Sequence, residues 1–172
     1  LVAVIRDLAG LAGREHDVLV IGGGVSGAAV AWDAAQRGLA VALVERADFG
    51  GETSWNSLKT IHGGLRHLQR ADVAGLRESM RERRALLRIA PAAVRPLTFL
   101  VPAYGHGPRG LEGLALGVTV ADLLGLDRNA GLPARTLPRA RVLSAAAVLR
   151  EVPGLAPEGL AGGVVWTDAQ AE

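Results

Sequence analysis

Between residues 17 and 45, apolar positions come in two short runs separated by an alanine-rich stretch. Val18, Leu19, Val20 and Ile21 form an unbroken run closed by three glycines. That is the pattern of a strand buried on both faces, and it predicts the central strand of a sheet. From 25 to 37 the chain is mostly Ala with apolar spacings of three and four, and Gly38 stands where a helix-ending glycine belongs. A helix is predicted there. Residues 40–44 form the second run, and a crossover of this length makes it parallel to the first. The fold class that follows is α/β, with a Rossmann-like parallel central sheet.

Beyond Glu45 a polar, glycine-bearing loop leads to a helical candidate from Ser57, interrupted by Gly63 and Gly64. Two adjacent glycines cost a helix about 2 kcal/mol relative to alanine, so the break implies a close approach to the main chain. Asp72 can cap a long helix through Ile89, with Leu76, Met80, Leu86, Leu87 and Ile89 on its apolar side and Pro91 beyond its end. Residues 97–101 read as a strand fenced by Pro96 and Pro102. After 103, glycine and proline punctuate the pattern, leaving helices at 111–124 and 140–150 and a strand at 163–167. The division expected is a leader at 1–16, a core at 17–102, and the start of a further region with a return strand at 103–172.

Composition narrows the chemistry. Of 172 residues, 49% are hydrophobic and only 3% aromatic, so Ala, Leu and Val must fill the core. The formal charge is +2, and the densest basic cluster, from Arg77 to Arg88, is interleaved with Glu78 and Glu82. It reads as a solvated helix face, which argues against nucleic-acid binding. With no cysteine, disulfides and thiolate chemistry are excluded, and any redox chemistry must come from a bound cofactor. No His/Asp/Glu spacing suggests a metal. Neither the apolar N-terminus nor residues 111–126, which include Glu112 and Asp122, offers an uncharged span of about 20 residues. Trp32, Trp55 and Trp166 are expected to pack, and His16 and His106 to be solvated.

The first run ends in Gly22-Gly23-Gly24-Val25-Ser26-Gly27, which holds the G-x-G-x-x-G spacing. Gly22 permits the tight turn, Gly24 lets the backbone approach a pyrophosphate, and Gly27 lets helix press on strand. The helix start at Val25 and Ser26 then offers free N–H groups to the phosphates. Glu45, at the end of the second run, stands 18 residues after Gly27, where a carboxylate can bind ribose hydroxyls. A carboxylate there argues against a 2′-phosphate and hence against NADP. The spacing leaves FAD and NAD both open.

More specific residues separate them. Asp17 to Gly24, with Asp33-Ala34-Ala35-Gln36-Arg37-Gly38, resembles the opening of the FAD-dependent glycerol-3-phosphate dehydrogenases, within the D-amino-acid-oxidase-like flavoproteins. Thr53-Ser54-Trp55-Asn56-Ser57-Leu58-Lys59-Thr60-Ile61-His62-Gly63-Gly64-Leu65-Arg66-His67-Leu68 is similar to that family's T-S-x-x-S-S-K-L-I-H-G-G-L-R-Y-L run. Glu82-Arg83, Leu86-Leu87, Ala90-Pro91, Pro96-Leu97 and Phe99 follow in the family's order, and Trp166-Thr167-Asp168-Ala169-Gln170 resembles its Y-x-D-A-Q strand.

The resemblance implies FAD as cofactor, with hydride leaving C2 of sn-glycerol 3-phosphate for flavin N5, dihydroxyacetone phosphate as product and quinone as electron acceptor. It assigns Glu45, Arg46, Thr53, Ser54, Ser57, Lys59 and His62 to the cofactor, together with the glycine loop. Gly63 and Gly64 would let the main chain pass the flavin ring, and Arg66 with His67 would meet the substrate's anionic end. It implies a cytoplasmic protein, or one peripheral on the cytoplasmic face of a membrane. Three departures stand out: Leu58 in place of a second Ser, His67 in place of Tyr, and an added Glu52 that must point outward. Family members continue for several hundred residues, so the catalytic base and part of a two-domain site are expected outside this stretch. The 172 residues alone are then expected to bind FAD poorly and to turn over nothing. The rival readings are an oxygen-reducing FAD oxidase of the same superfamily with another substrate, and an inactive truncated remnant.

Overall fold

The computed structural model describes residues 7–132 and 137–172. The chain divides into two compact units, Leu1–Leu58 and Lys59–Glu172. The first six residues of the expected leader lie outside the described residues; the rest of it contains a single-turn helix, α1 (Leu8–Ala12).

In the first unit, β1 (Val18–Ile21), α2 (Val25–Gln36) and β2 (Val41–Val44) form the expected strand–helix–strand arrangement. The strands are parallel, with Val18 opposite Val41 and Ile21 opposite Val44. Helix α2 ends as the glycine signal predicted. Arg37 caps it, and Gly38 takes a positive φ of 84° that a side-chain-bearing residue adopts only with strain. The expectation of a central, doubly buried strand is corrected. Among the described residues β1 pairs with β2 alone, Val20 is its one buried residue, and Ile21 is 83% exposed. A continuous apolar run marks a strand suited to burial on both faces; these residues cover only part of it. Trp32 and Trp55 are exposed, contrary to the packing role expected of them. His16, expected in solvent, is half-buried, with Nε2 sealed and unpartnered.

The second unit is built around one long strand. From Lys59 onward come β3 (Thr60–Ile61), a 3-10 helix at Leu65–Arg70, α3 (Val73–Ile89), β4 (Val94–Tyr104), α4 (Leu111–Leu124), β5 (Arg141–Ser144), α5 (Ala145–Glu151) and β6 (Leu160–Ala171). Strand β6 lies at the centre. Antiparallel β4 runs along one of its edges, while β3 and β5 share the other. The predicted α3 and α4 are present as read, and Asp72 caps α3 by accepting the Gly75 N–H at 2.8 Å.

Four other expectations change. The helix proposed from Ser57 is absent, because Lys59 and Gly64 both take positive φ and interrupt any helical register. Strand β4 runs through both prolines instead of stopping at them. Pro96 and Pro102 share one parity, so their missing N–H groups both fall on the edge of β4 that lacks a partner among the described residues. Residues 141–144 are a strand, and the helix begins only after Ser144, whose hydroxyl accepts the Ala147 N–H. The Arg77–Arg88 face is not simply solvated. Arg77 and Arg84 both pair with Asp127 at 2.9 Å, and Arg83 is buried.

Helix α3 contributes to both core clusters of this unit. Leu87 packs with Val94, Leu132, Leu137 and Ala169, and Leu76 and Met80 pack with Ala121. Among the described residues no helix is long and apolar enough to cross a membrane. Leu87, 1% exposed, and Ile89, 51% exposed, lie on the same helix and differ in what they touch. Leu87→Ala is expected to destabilise the second unit by about 2–5 kcal/mol in urea unfolding, while Ile89→Ala stays within about 0.5 kcal/mol of the parent.

Candidate functional site

The glycine loop of the first unit is shaped by close packing. Gly22 has a φ of 105° with open space where a Cβ would stand, and a Cβ on Gly27 would collide with the Gly22 carbonyl oxygen. Only glycine allows α2 to start this close to the end of β1. The helix has no side-chain cap from Gly24. In its place Ser54 reaches in from the following loop, and its Oγ accepts the Val25 N–H at 2.8 Å. Ser26 and Gly27 fall in the first turn, where a helix has no acceptor of its own for their N–H groups.

Glu45 ties the second strand to this loop. Its Oε2 accepts the Gly23 N–H at 2.8 Å, and its Oε1 accepts the Ala47 N–H at 2.9 Å. The Gly23 bond first, and the Ala47 bond second, hold the Glu45 carboxyl below its usual range. Each oxygen keeps a further lone pair. Gly22, Glu45 and Arg46 line an open depression of about 380 Å³ just past Ile21. Glu52, expected to point outward, is exposed and 3.2 Å from Arg46, yet it lines the same depression. Thr53 and Ser57 lie exposed in the turns around Ser54.

In the second unit His62, Gly63 and Gly64 follow β3 directly, and the close approach expected at the glycine doublet is made by protein groups. A Cβ on Gly63 would overlap the Arg83 guanidinium and come within 3.0 Å of Asp168 Oδ1, and one on Gly64 would meet Ser79. Asp168 gathers this turn. It accepts the Gly63 N–H at 2.8 Å, is paired with Arg83, lies 3.1 Å from His62 Nδ1, and accepts the Trp166 indole N–H at 3.3 Å. Arg83 also donates to the Thr167 carbonyl. Its Nε is buried without a partner beside a cavity of about 40 Å³ that Asp122 and Arg128 also line. A water needs at least about 10–15 Å³ of such space, so there is room for one or more.

Arg66 is exposed, and its guanidinium makes no ion pair among the described residues. It stands at a groove of about 420 Å³ whose walls include Leu65, Leu114, Val164 and Trp166. His67 is turned to Asp72 at 2.7 Å, where it supports the cap of α3. Lys59 has a positive φ of 51°, and its carbonyl accepts the Ala171 N–H. Trp166, expected to pack, does so by stacking on Phe99. His106, expected in solvent, remains exposed but pairs with Glu112 at 2.7 Å, and that pairing, ahead of the loop N–H groups, lowers the Glu112 carboxyl to about 2. No group of three His, Asp or Glu side chains among the described residues could hold a metal. Arg83 and Asp168 carried no assigned role in the sequence reading, although both fall in segments that resemble a known family. Their pairing over 85 positions has no local signal.

A family described as FAD dependent oxidoreductase matches residues 17–172. Over 169 residues the chain is 44% identical to glycerol-3-phosphate dehydrogenase 1 of Mycobacterium bovis, covering 95% of this chain and 32% of that protein. Over 168 residues it is 36% identical to glycerol-3-phosphate dehydrogenase of Synechocystis, covering 98% and 29%. The structure of glycerol-3-phosphate dehydrogenase from Bacillus halodurans, complexed with FAD, superposes with a TM-score of 0.62 at 26% identity, over 95% of this chain and 23% of that one. The chain thus spans about a third of the length of these curated relatives.

Two outcomes follow from the geometry. Asp168→Ala leaves Arg83 buried and unpaired and is expected to cost about 3–5 kcal/mol in urea unfolding. The lowered carboxyl of Glu45 secures Gly23 fully above the ordinary value of 4.5, and the restraint is lost as pH falls through the lower folded value. Hydrogen exchange at the Gly23 amide, corrected for its intrinsic pH dependence, should lose protection over that acid window, and Glu45→Gln should remove the dependence.

Proposed function

The chain belongs to the FAD dependent oxidoreductase family, and from that premise we propose that it carries the FAD-binding part of an sn-glycerol-3-phosphate dehydrogenase that passes electrons to quinone. The observation that carries the reading is the glycine loop. Gly27 presses α2 against Gly22 while Glu45 grips Gly23, leaving helix-start N–H groups and carboxylate lone pairs beside an open depression. That donor and acceptor set fits the ADP half of FAD. Ser26 and Gly27 bind the pyrophosphate, and Glu45 accepts the ribose hydroxyls. Ser54 holds Val25 and keeps its own hydroxyl hydrogen to donate. Arg46, Thr53 and Ser57 complete the binding segment.

In the second unit Lys59, His62, Gly63 and Gly64 form the turn that meets the flavin end. Arg66 receives the substrate phosphate as a planar fork, and His67 flanks it. When bound, FAD supplies the two-electron acceptor for the hydride at C2 of glycerol 3-phosphate. The 44% identity to a glycerol-3-phosphate dehydrogenase supports this substrate over the others of the superfamily. The location that accompanies the reading is cytoplasmic, with peripheral contact to the inner face of the membrane.

Titration of the protein that contains this chain with FAD should quench flavin fluorescence to a saturating endpoint, NADP should not compete, and Gly27→Val should abolish the endpoint. In the protein that contains this chain, anaerobic sn-glycerol 3-phosphate should bleach the flavin and yield dihydroxyacetone phosphate, with faster reoxidation by quinone than by oxygen. Bleaching by an amino acid and not by glycerol 3-phosphate would overturn the assignment.

A further inference from the structure

Asp168 lies on β6 with its side chain 4% exposed, yet four groups reach its carboxylate. Oδ1 accepts the Gly63 N–H and an Arg83 guanidinium N–H, while Oδ2 accepts the indole N–H of Trp166 and faces Nδ1 of His62 at 3.1 Å. A carboxylate bound to a guanidinium offers lone pairs and no hydrogen, so the contact with His62 requires the hydrogen on Nδ1. A neutral imidazole carries one N–H, which leaves Nε2 bare. The His62 side chain is 67% exposed, and its Nε2 has no partner among the described residues. The ring is also placed. Phe99 lies 6.2 Å away at 37°, and Phe99 is itself stacked on Trp166.

We propose that Asp168 is a positioning residue that fixes His62 in its Nδ1–H tautomer, so that the turn before Gly63 presents Nε2 as a hydrogen-bond acceptor to a hydroxyl or N–H of the bound ligand. The same carboxylate holds the main chain of Gly63 and the ring of His62, so turn and ring are set by one group. Arg83 orients that group from α3, and its planar fork leaves Oδ2 for His62 and Trp166. The ligand-facing half of this inference rests on the reading that His62 belongs to the cofactor segment. The tautomer half stands on the second unit alone.

The test is NMR of the imidazole nitrogens in the full 172-residue chain without cofactor, with the imidazoles neutral. The wild-type chain should show His62 protonated on Nδ1 and bare on Nε2. In Asp168→Asn, Arg83 and the Gly63 N–H retain the amide oxygen, so the amide NH2 turns to His62 and donates to Nδ1, and the hydrogen moves to Nε2. A role confined to packing would not invert the tautomer. Should Asp168→Asn fail to fold, Trp166→Phe, which leaves the carboxylate intact, must keep the Nδ1–H form. Wild-type His62 protonated on Nε2, or exchanging between forms like a free imidazole, overturns the inference, as does inversion in Trp166→Phe. FAD titration of the protein that contains this chain separates the two ideas: an Nδ1–H tautomer without FAD uptake there sinks only the cofactor reading, and uptake with the opposite tautomer sinks only this one.

Discussion

A carboxylate almost without access to water is stable only if its lone pairs are filled, and in the second unit Asp168 has them filled from four directions. That requirement shapes what surrounds it. Gly63 has to be glycine because the Arg83 guanidinium occupies the place of its side chain. Arg83 has to sit on the inner face of α3, three residues from Met80 and four from Leu87, although a charged residue there interrupts the apolar stripe. Strand β6 must run unbroken so that Trp166 and Asp168, two residues apart, point to the same face. A buried pair of this kind is weak evidence for net stability and better evidence for a fixed arrangement of the groups it joins.

The first unit meets a different constraint, one of distance. A helix whose start must offer N–H groups at the end of a strand can approach it only where no side chain intervenes, which is why Gly27 faces the Gly22 carbonyl. Glu45 and Ser54 then do the work of caps from outside the helix, one on Gly23 and one on Val25. The result is a loop held by its neighbours on one side and open on the other. Membership of the FAD dependent oxidoreductase family gives that open side its meaning.

What could be read from the sequence was what is local. The β1–α2–β2 unit, the Asp72 cap and the boundaries of α4 each depend on residues within one element or one turn, and the structure has them as expected. The misreadings arose where distant partners decide. Prolines in β4 are tolerated because of which edge they face, which requires knowing that β6 lies on the other side. Residues 141–144 are drawn into a strand by pairing with 162–165, against a helical reading of 140–150 as a whole. Arg83 looks like one more charge on a charged helix until Asp168, far along the chain, is placed beside it. At the candidate site the glycine loop and the His62-Gly63-Gly64 run were legible as motifs. The carboxylate that organises the second of them was visible only as part of a strand pattern.

The reading of the first unit is that the loop after β1 holds the ADP half of FAD. A crystal structure of the protein that contains this chain, grown with FAD, tests it most directly. Pyrophosphate oxygens are expected within hydrogen-bond distance of the Ser26 and Gly27 amides, with ribose hydroxyls on Glu45. Electron density for FAD that leaves Glu45 and the Ser26 amide without ligand contacts would contradict it.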